Sequence, residues 1–480
     1  MGNATHLSNR ITYSNSWEDD AADCDVVVFA LSGTLFRENA FARLAEGLKL
    51  DPQVSAAYCD VTIATEDGRE WPIAFPSFDY ERMLEQGYCA YLFAAPIAKA
   101  REAALAGADN VFRVFNMIFD RDGSSSVPVH VPGFLAQVPR IDLGNGAAKL
   151  AEATAEHLRG CGVPATVQPA RGALFPCVHV RRASAQAKVS LLIPTRDRID
   201  LLQPCIESLR RTLSFGDCEA IVIDNDSSDP VTLHYLEGIA AEGVRVLSLP
   251  GRFSFARLIN GGAALASGEF LVAMSNSVKA LGTGWLEEML SRAVEPDIGA
   301  VGPTLLWPSG VVKQSGIVLG VGFAPSPAFG ERRDGDQGYA DQLIVAHQCS
   351  AVDGDCLLTP RSLFLEIGGF DEVSFPSQYY DVDYCLRLQG RGFRVVLTPR
   401  ARMQHRGRSW AHERQTQNDV GQRELSILRS RWGDVLVEDP CYSPLLSLNG
   451  SPYSGLAWPP RSLLPRLPKG VAPRPRPLGV

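Results

Sequence analysis

The stretch VSLLIPTRDR, Val189 to Arg198, decides the fold. The run VSLLI stops abruptly at Pro194-Thr195-Arg196-Asp197-Arg198, and Leu202, Ile206, Leu209 and Leu213 then follow at helical spacing. A second buried-strand run, Ala220 to Ile223, stops at Asp224-Asn225-Asp226-Ser227-Ser228. Further short apolar runs sit at Val244 to Leu247, Phe270 to Met274, Cys356 to Leu358 and Val395 to Leu397. Strands alternating with helices predict an α/β fold, a mostly parallel sheet with helices on both faces. Ligands of such sheets collect at the carboxyl ends of the strands, where the two polar clusters lie. Residues 188–445 therefore read as one domain.

Outward from this block the signals thin. The chain has 480 residues, which at roughly 150 residues per domain gives about three domains, or two with one large. Residues 1–185 form a separate unit, with a strand at Asp25 to Leu31, helices at Glu38 to Leu48 and Ala147 to Leu158, and a strand at Cys177 to Val180 before the linker Arg181 to Lys188. DVVVFALSGTLF from Asp25 echoes EFLVAMSNSVKA from Glu269, each read as a strand, a polar tip and then a helix. Residues 446–480 read as a Pro/Arg-rich tail. Pro459 to Val480 holds seven prolines, five Lys or Arg and no acid, too few donors and too little apolar surface to fold alone. A solvated tail is the simplest expectation, and a peripheral contact with anionic lipid headgroups the alternative.

Composition narrows the class. A formal charge of -8 argues against a nucleic-acid partner, which calls for a basic stripe. No run approaches the roughly 20 apolar residues that span a bilayer, and MGNATHLSNR lacks the apolar core of an export signal. The eleven cysteines are scattered with no C-x-x-C pair, which fits neither a zinc site nor a disulfide framework. The expectation is a reduced, cytoplasmic protein.

The strand-tip clusters carry the chemistry. Asp197, Asp224, Asn225 and Ser227 offer carboxylates, an amide and a hydroxyl able to accept from a base or a ribose, although each is also a good turn former. Two clusters on consecutive strands favour nucleotide binding. Gln378-Tyr379-Tyr380-Asp381-Val382-Asp383 precedes a helical pattern. One of its acids can be a helix cap, and the other a general base in reach of a substrate hydroxyl.

Together these segments resemble family-2 glycosyltransferases of the GT-A fold. The resemblance rests on VSLLIPTRDR (from Val189), IVIDNDSSD (from Ile221), FSFARLINGGAALASGEFL (from Phe253), VGPTLLWPSGVVKQSGIVLG (from Val301), SAVDGDCLLTPRSLFLEIGGFDE (from Ser350), YYDVDYCLRLQGRGFRVVLTP (from Tyr379) and DPCYSPLLSL (from Asp439). YCDVTIATEDGREWPIAF (from Tyr58) and VPVHVPGFLAQVPR (from Val127) resemble the second half of another such domain. This implies a tandem whose first copy is partial and degenerate, with Leu31-Ser32-Gly33 where the family has acids.

The resemblance implies a transferase that moves a sugar from a nucleotide-sugar to a glycan or lipid-linked saccharide, by inversion. Its setting would be bacterial surface-polysaccharide synthesis beside other enzymes of that process, in the cytoplasm or at the inner face of the membrane. It assigns Pro194, Thr195, Arg196, Asp197, Asp224 and Asn225 to the base and ribose, and places Asn260, Ser275, Asn276 and Ser277 near the donor. Asp381 becomes the catalytic base, and Gly354, Asp355 and Asp383 lie on the acceptor side. His405 falls near the diphosphate or metal.

The chain departs from the family pattern where it matters. The acidic metal cluster is replaced by Ser275-Asn276-Ser277, and Gln314 stands where many relatives have His. Mn²⁺ or Mg²⁺, the family's cofactors, prefer anionic oxygen ligands. Three readings stay open. The first is a metal-independent enzyme with Lys279, Arg406 or Arg408 as the diphosphate's cation. The second is a non-catalytic scaffold or glycan-binding module that keeps the fold. The third is a metal recruited by Asp224, Asp353 or Asp355.

Overall fold

Val189–Thr195 forms a strand whose seven residues are all buried. The run can be apolar on both faces because helices cover both sides of a parallel sheet. In the computed structural model, which describes residues 25–468 except 66, 122–126, 184–186, 214–217 and 408–418, this strand lies inside a ten-stranded sheet. Across its main path the order is Arg245–Ser248, Cys218–Asp224, Val189–Thr195, Phe270–Met274, Cys356–Pro360, Ile298–Leu306, Arg394–His405 and Val278–Ala280. The first four run parallel. Cys356–Pro360 is antiparallel to both neighbours, whereas Ile298–Leu306 and Arg394–His405 pair in parallel. The reversal brings the residues before Cys356 to the same edge as Thr195, Asp224 and Met274.

The upstream residues build a six-stranded sheet, ordered Val26–Ala30, Leu92–Pro96, Val54–Ala64, Val127–Val138 and Leu35–Phe36, with Glu70–Ile73 paired to Val54–Ala64. This order and its pairing senses match the second half of the larger sheet. Leu92–Pro96 is antiparallel to both neighbours and Val54–Ala64 is parallel to Val127–Val138. Cys356–Pro360 and the Ile298–Leu306/Arg394–His405 pair stand in the same relation. The upstream sheet has no counterpart, among the described residues, of the three strands Arg245–Ser248, Cys218–Asp224 and Val189–Thr195.

A buried charge network joins the two units. Glu81 and Glu85 lie on the helix Tyr80–Gln86, one turn apart. Glu81 accepts from both terminal nitrogens of Arg182 at 2.9 Å, from Arg292 at 3.1 Å and from Arg394 at 3.0 Å. Glu85 accepts from Arg292 and Arg400, each at 2.7 Å. Burial works to raise the Glu81 carboxyl, but the guanidiniums of Arg182, Arg394 and Arg292 outweigh it and hold the group far below the usual range.

The C-terminal segment differs from the expected solvated tail. Arg466 exchanges both backbone hydrogen bonds with His130 of the upstream sheet, at 3.1 and 2.7 Å. Its buried guanidinium donates to the carbonyls of Tyr442 and Asp439 at 3.0 and 2.8 Å. Arg461 donates to the Ser443 carbonyl at 2.9 Å. Proline deprives the segment of donors, and these two arginines supply them, so neither is free to meet a lipid headgroup. Lys469, Arg474 and Arg476 lie outside the described residues. Arg466→Ala strands two carbonyls in the interior and is expected to lower stability by ~1–3 kcal/mol, read as a lower urea midpoint. Among the described residues no helix is long and apolar enough to cross a membrane.

Candidate active site

The strand tips meet along one edge of the large sheet. Thr195 is buried, and its hydroxyl accepts from the Asn276 amide at 3.0 Å. Its carbonyl accepts the Asn225 N–H at 2.9 Å. Ser275 follows the end of Phe270–Met274, and its N–H donates to the Asp355 carbonyl at 2.9 Å. Thr195, Asn225, Asn276, Ser275 and Asp355 thus form one continuous rim, as the parallel topology requires. Arg196 and Pro194 belong to it too, Arg196 exposed and Pro194 buried in the strand.

Several expected donor residues are engaged by the protein itself. Asp197 takes a left-handed backbone, φ 48, and accepts the N–H groups of Ser228 and Asp229 at 2.6 and 2.8 Å. Those two N–H groups hold its carboxyl below the usual range. Asp224 accepts from the Ser227 hydroxyl. The Asn225 amide donates to the Leu249 and Gly251 carbonyls at 2.8 and 3.1 Å, whereas its buried Oδ1 has no protein partner among the described residues. The first two clusters thus act partly as the turn formers their composition predicts. Asn260 is turned elsewhere. It clamps Phe370 through both backbone groups at 2.9 Å and donates to Glu372, because it sits on the helix Phe255–Leu265 facing the Gly369 turn.

The third cluster is a hydroxyl and imidazole chain rather than an acid cluster. Ser275 Oγ and Ser277 Oγ are 2.7 Å apart, and Ser277 Oγ lies 3.0 Å from His405 Nε2. The Gly407 N–H donates to His405 Nδ1 at 3.1 Å, so the proton of the neutral ring sits on Nε2. That N–H faces Asp355 Oδ2 at 3.2 Å as well as Ser277. Arg406 is exposed and donates only its backbone N–H to the Ser277 carbonyl, at 2.8 Å. Lys279 sits in the outer strand opposite Gln404, between the buried Val278 and Ala280. Neither cation is part of this hydrogen-bonded chain, and Arg408 lies outside the described residues.

The cation that is part of it is one that sequence reading passed over. Lys313, in the short strand Val312–Gln314, is buried. Its ammonium donates to Asp353 Oδ2 at 2.7 Å and Asp355 Oδ2 at 2.9 Å. Burial works to lower the Lys313 pKa, but Asp353 and Asp355 outweigh it and hold the group firmly charged. Burial likewise works to raise the Asp355 carboxyl, and Lys313 and His405 hold it well below the usual range. The available signal was a lysine inside the otherwise buried pattern VVKQSG, with DGDC downstream.

Asp381 and Asp383 divide the roles that sequence left undecided. The N-cap of Tyr380–Gly390 is Tyr379, φ 59, and it makes no side-chain cap bond. Asp381, in the first turn, accepts the N–H groups of Gly354 and Val382, each at 2.8 Å. Burial pushes its carboxyl up to about 7, and repulsion from Asp353 adds to this. Gly354 is required beside it, since a Cβ there would meet the Tyr380 ring at 2.5 Å. Asp383 is not on the acceptor side. Fully buried on the same helix, it accepts from Arg387, Arg431 and Trp432 at 2.8, 2.8 and 3.0 Å, which fastens the helix Asp419–Val437.

A divalent cation does not fit this edge as built. The family's acid positions hold two hydroxyls and a carboxamide, the His405 Nε2 carries a proton, and the nearest carboxylates are bridged by Lys313. Among the described residues no group of three or more His, Cys, Asp or Glu is placed to hold a metal.

The family model for glycosyl transferase family 2 matches residues 190–364. The chain is 31% identical over 269 residues to an uncharacterized protein, y4gI, of Sinorhizobium fredii, covering 55% of this chain and 30% of that protein. It is 31% identical over 267 residues to the O-antigen biosynthesis protein RfbC of Myxococcus xanthus, covering 55% of this chain and 20% of the relative. A pre-mycofactocin glycosyltransferase of Mycobacterium tuberculosis is 26% identical over 219 residues, 45% of this chain and 42% of its own length. The chain thus spans less than half the length of each of these curated relatives.

Proposed function

On the match of residues 190–364 to the glycosyl transferase family 2 model, we propose that the chain is a family-2 glycosyltransferase that transfers a sugar from a nucleotide-sugar to a hydroxyl of a glycan or lipid-linked saccharide, with inversion. The observation that carries this reading is Asp381, a carboxyl raised to about 7 at the carboxyl edge of the parallel strands. A base of that strength is half ionised near neutral pH, which balances the fraction in the basic form against its affinity for the hydroxyl proton leaving in the transition state. In the step, the acceptor hydroxyl loses its proton to Asp381. Its oxygen bonds to the anomeric carbon as the bond from that carbon to the nucleoside diphosphate breaks on the opposite face. The buried ionic setting of Asp353 and Asp355 keeps the Asp381 proton affinity high. Thr195, Asn276 and the free Asn225 Oδ1 supply the polar groups that a donor nucleotide would meet.

The O-antigen relative supports surface-polysaccharide synthesis as the setting, and a cytoplasmic or inner-face location follows from where nucleotide-sugars are made. The shared strand order supports reading residues 1–185 as a partial copy, and the lack among the described residues of counterparts to Val189–Thr195 and Cys218–Asp224 supports a non-catalytic or acceptor-handling role for it.

The non-catalytic scaffold reading draws its support from the hydroxyls at the acid positions. A thermal-shift panel of UDP-, GDP- and dTDP-sugars separates the two. A transferase is stabilised by its donor, by ~2.7 kcal/mol at a hundredfold excess over Kd. No shift with any donor would replace the transferase reading by the scaffold.

A further inference from the structure

The cluster around Lys313 has a consequence for cation use. We propose that the Lys313 ammonium is the resident cation of the Asp353–Asp355 pair, so that donor engagement at this edge proceeds without a divalent metal. The geometry carries the argument. Both Oδ2 atoms converge on one ammonium, at 2.7 and 2.9 Å, and Asp355 Oδ2 also faces His405 Nε2 at 3.2 Å, itself 3.0 Å from Ser277 Oγ. The ammonium is therefore linked to Ser277 through the Asp355 carboxylate and the His405 ring. An ammonium has three donors and no acceptor, and two of those donors are directed at the two acids.

A divalent ion would need those same oxygens at roughly 2.0–2.2 Å. It would also sit beside a buried like charge, which disfavours it. Expelling Lys313 instead would strand an ammonium in the interior. The two cations are therefore mutually exclusive. The substitutions agree with each other, since hydroxyls replace acids at one position while acids and a lysine gather at the neighbouring one.

The test uses the full chain and Mn²⁺ paramagnetic resonance, in which bound ion loses the free-ion signal. Wild type is expected to leave the Mn²⁺ signal unchanged, and uptake of one Mn²⁺ per chain overturns the proposal. Lys313→Ala frees two carboxylates, enough for an ion that keeps several waters, and is expected to quench the signal. Asp355→Asn in that background is expected to restore it. A folded Lys313→Ala protein that takes up no Mn²⁺ also overturns the proposal. If the variant does not fold, the wild-type measurement still decides.

A second arm rests on the transferase reading. Titrations of wild type with UDP, GDP and dTDP are expected to give the same Kd with chelator as with Mn²⁺. A nucleotide that binds only with Mn²⁺ overturns the inference. Failure of all three to bind counts against the transferase reading instead, and the Mn²⁺ result then decides the inference alone.

Discussion

Asp381→Asn is expected to lower sugar transfer by about 10²- to 10⁴-fold, the range that a positioned general base contributes. The variant keeps the side-chain shape and one oxygen, which can accept the Gly354 N–H now made at 2.8 Å, and gives up the bond that the second oxygen accepts from the Val382 N–H. What it loses is proton affinity. In wild type, kcat/KM is expected to rise with pH through about 7, where burial and Asp353 have pushed the carboxyl, and to level off above. The Asn variant is expected to be low and flat across that range. Stability moves the opposite way. A carboxyl whose folded pKa is raised gives stability that is full below its unfolded value and is lost as pH rises through the folded value. Wild type is therefore expected to lose stability as pH rises through about 7, and Asp381→Asn is expected to lack that loss. Initial rates with the donor found in the thermal-shift panel check the first claim and urea midpoints the second. Equal activity in variant and wild type would remove Asp381 from the mechanism.

Glu81→Gln is expected to cost ~3–5 kcal/mol of stability, the range for removing one partner of a buried ion pair. Glu81 is fully buried and receives Arg182, Arg292 and Arg394. With an amide in its place, three guanidiniums lose their shared anion. Arg394 retains Asp297 at 2.8 Å and Arg292 retains Glu85 at 2.7 Å, which sets the loss below complete unfolding. Removing the exposed Arg69–Asp67 pair is the control, expected to leave the urea midpoint nearly unchanged. The acid limb carries a second signature. A carboxyl with a depressed folded pKa contributes stability above its unfolded value, and this is lost as pH falls through the folded one. Wild type should therefore lose stability steeply below about pH 4.5, and Glu81→Gln less steeply. Urea midpoints at pH 7 and at pH 4 read both effects. A midpoint unchanged at pH 7 would mean that the two units are not held by this network.

The strand-tip residues and the acids of the helix Tyr380–Gly390 respond to different structural levels. Thr195, Asp224 and Ser275 were legible as strand tips, because an apolar run that ends in a polar cluster is a local signal. Asp381 was legible as one of two acids before a helix, but not as the one facing the crevice. Both lie in the same first turn, and only packing shows that Asp383 faces Arg431, 48 residues on, while Asp381 faces Gly354. Asn260 misled for the same reason, since its helix is readable but the Phe370 turn it clamps is 110 residues away.

By itself the sequence determined the alternation of strands and helices and the edge at which polar groups collect. Each follows from periodicity or turn chemistry within about ten residues. Tertiary structure alone decided which charges meet. Lys313 finds Asp353 and Asp355 across 40 and 42 residues, Glu81 finds Arg394 across 313, and Arg43 reaches the Leu463 carbonyl across 420. The physical reason is that hydrophobic burial sets the strand order without regard to side-chain charge. Strand register and helix packing then fix which ionic groups share the dry interior, where each must find an opposite charge or a hydrogen bond.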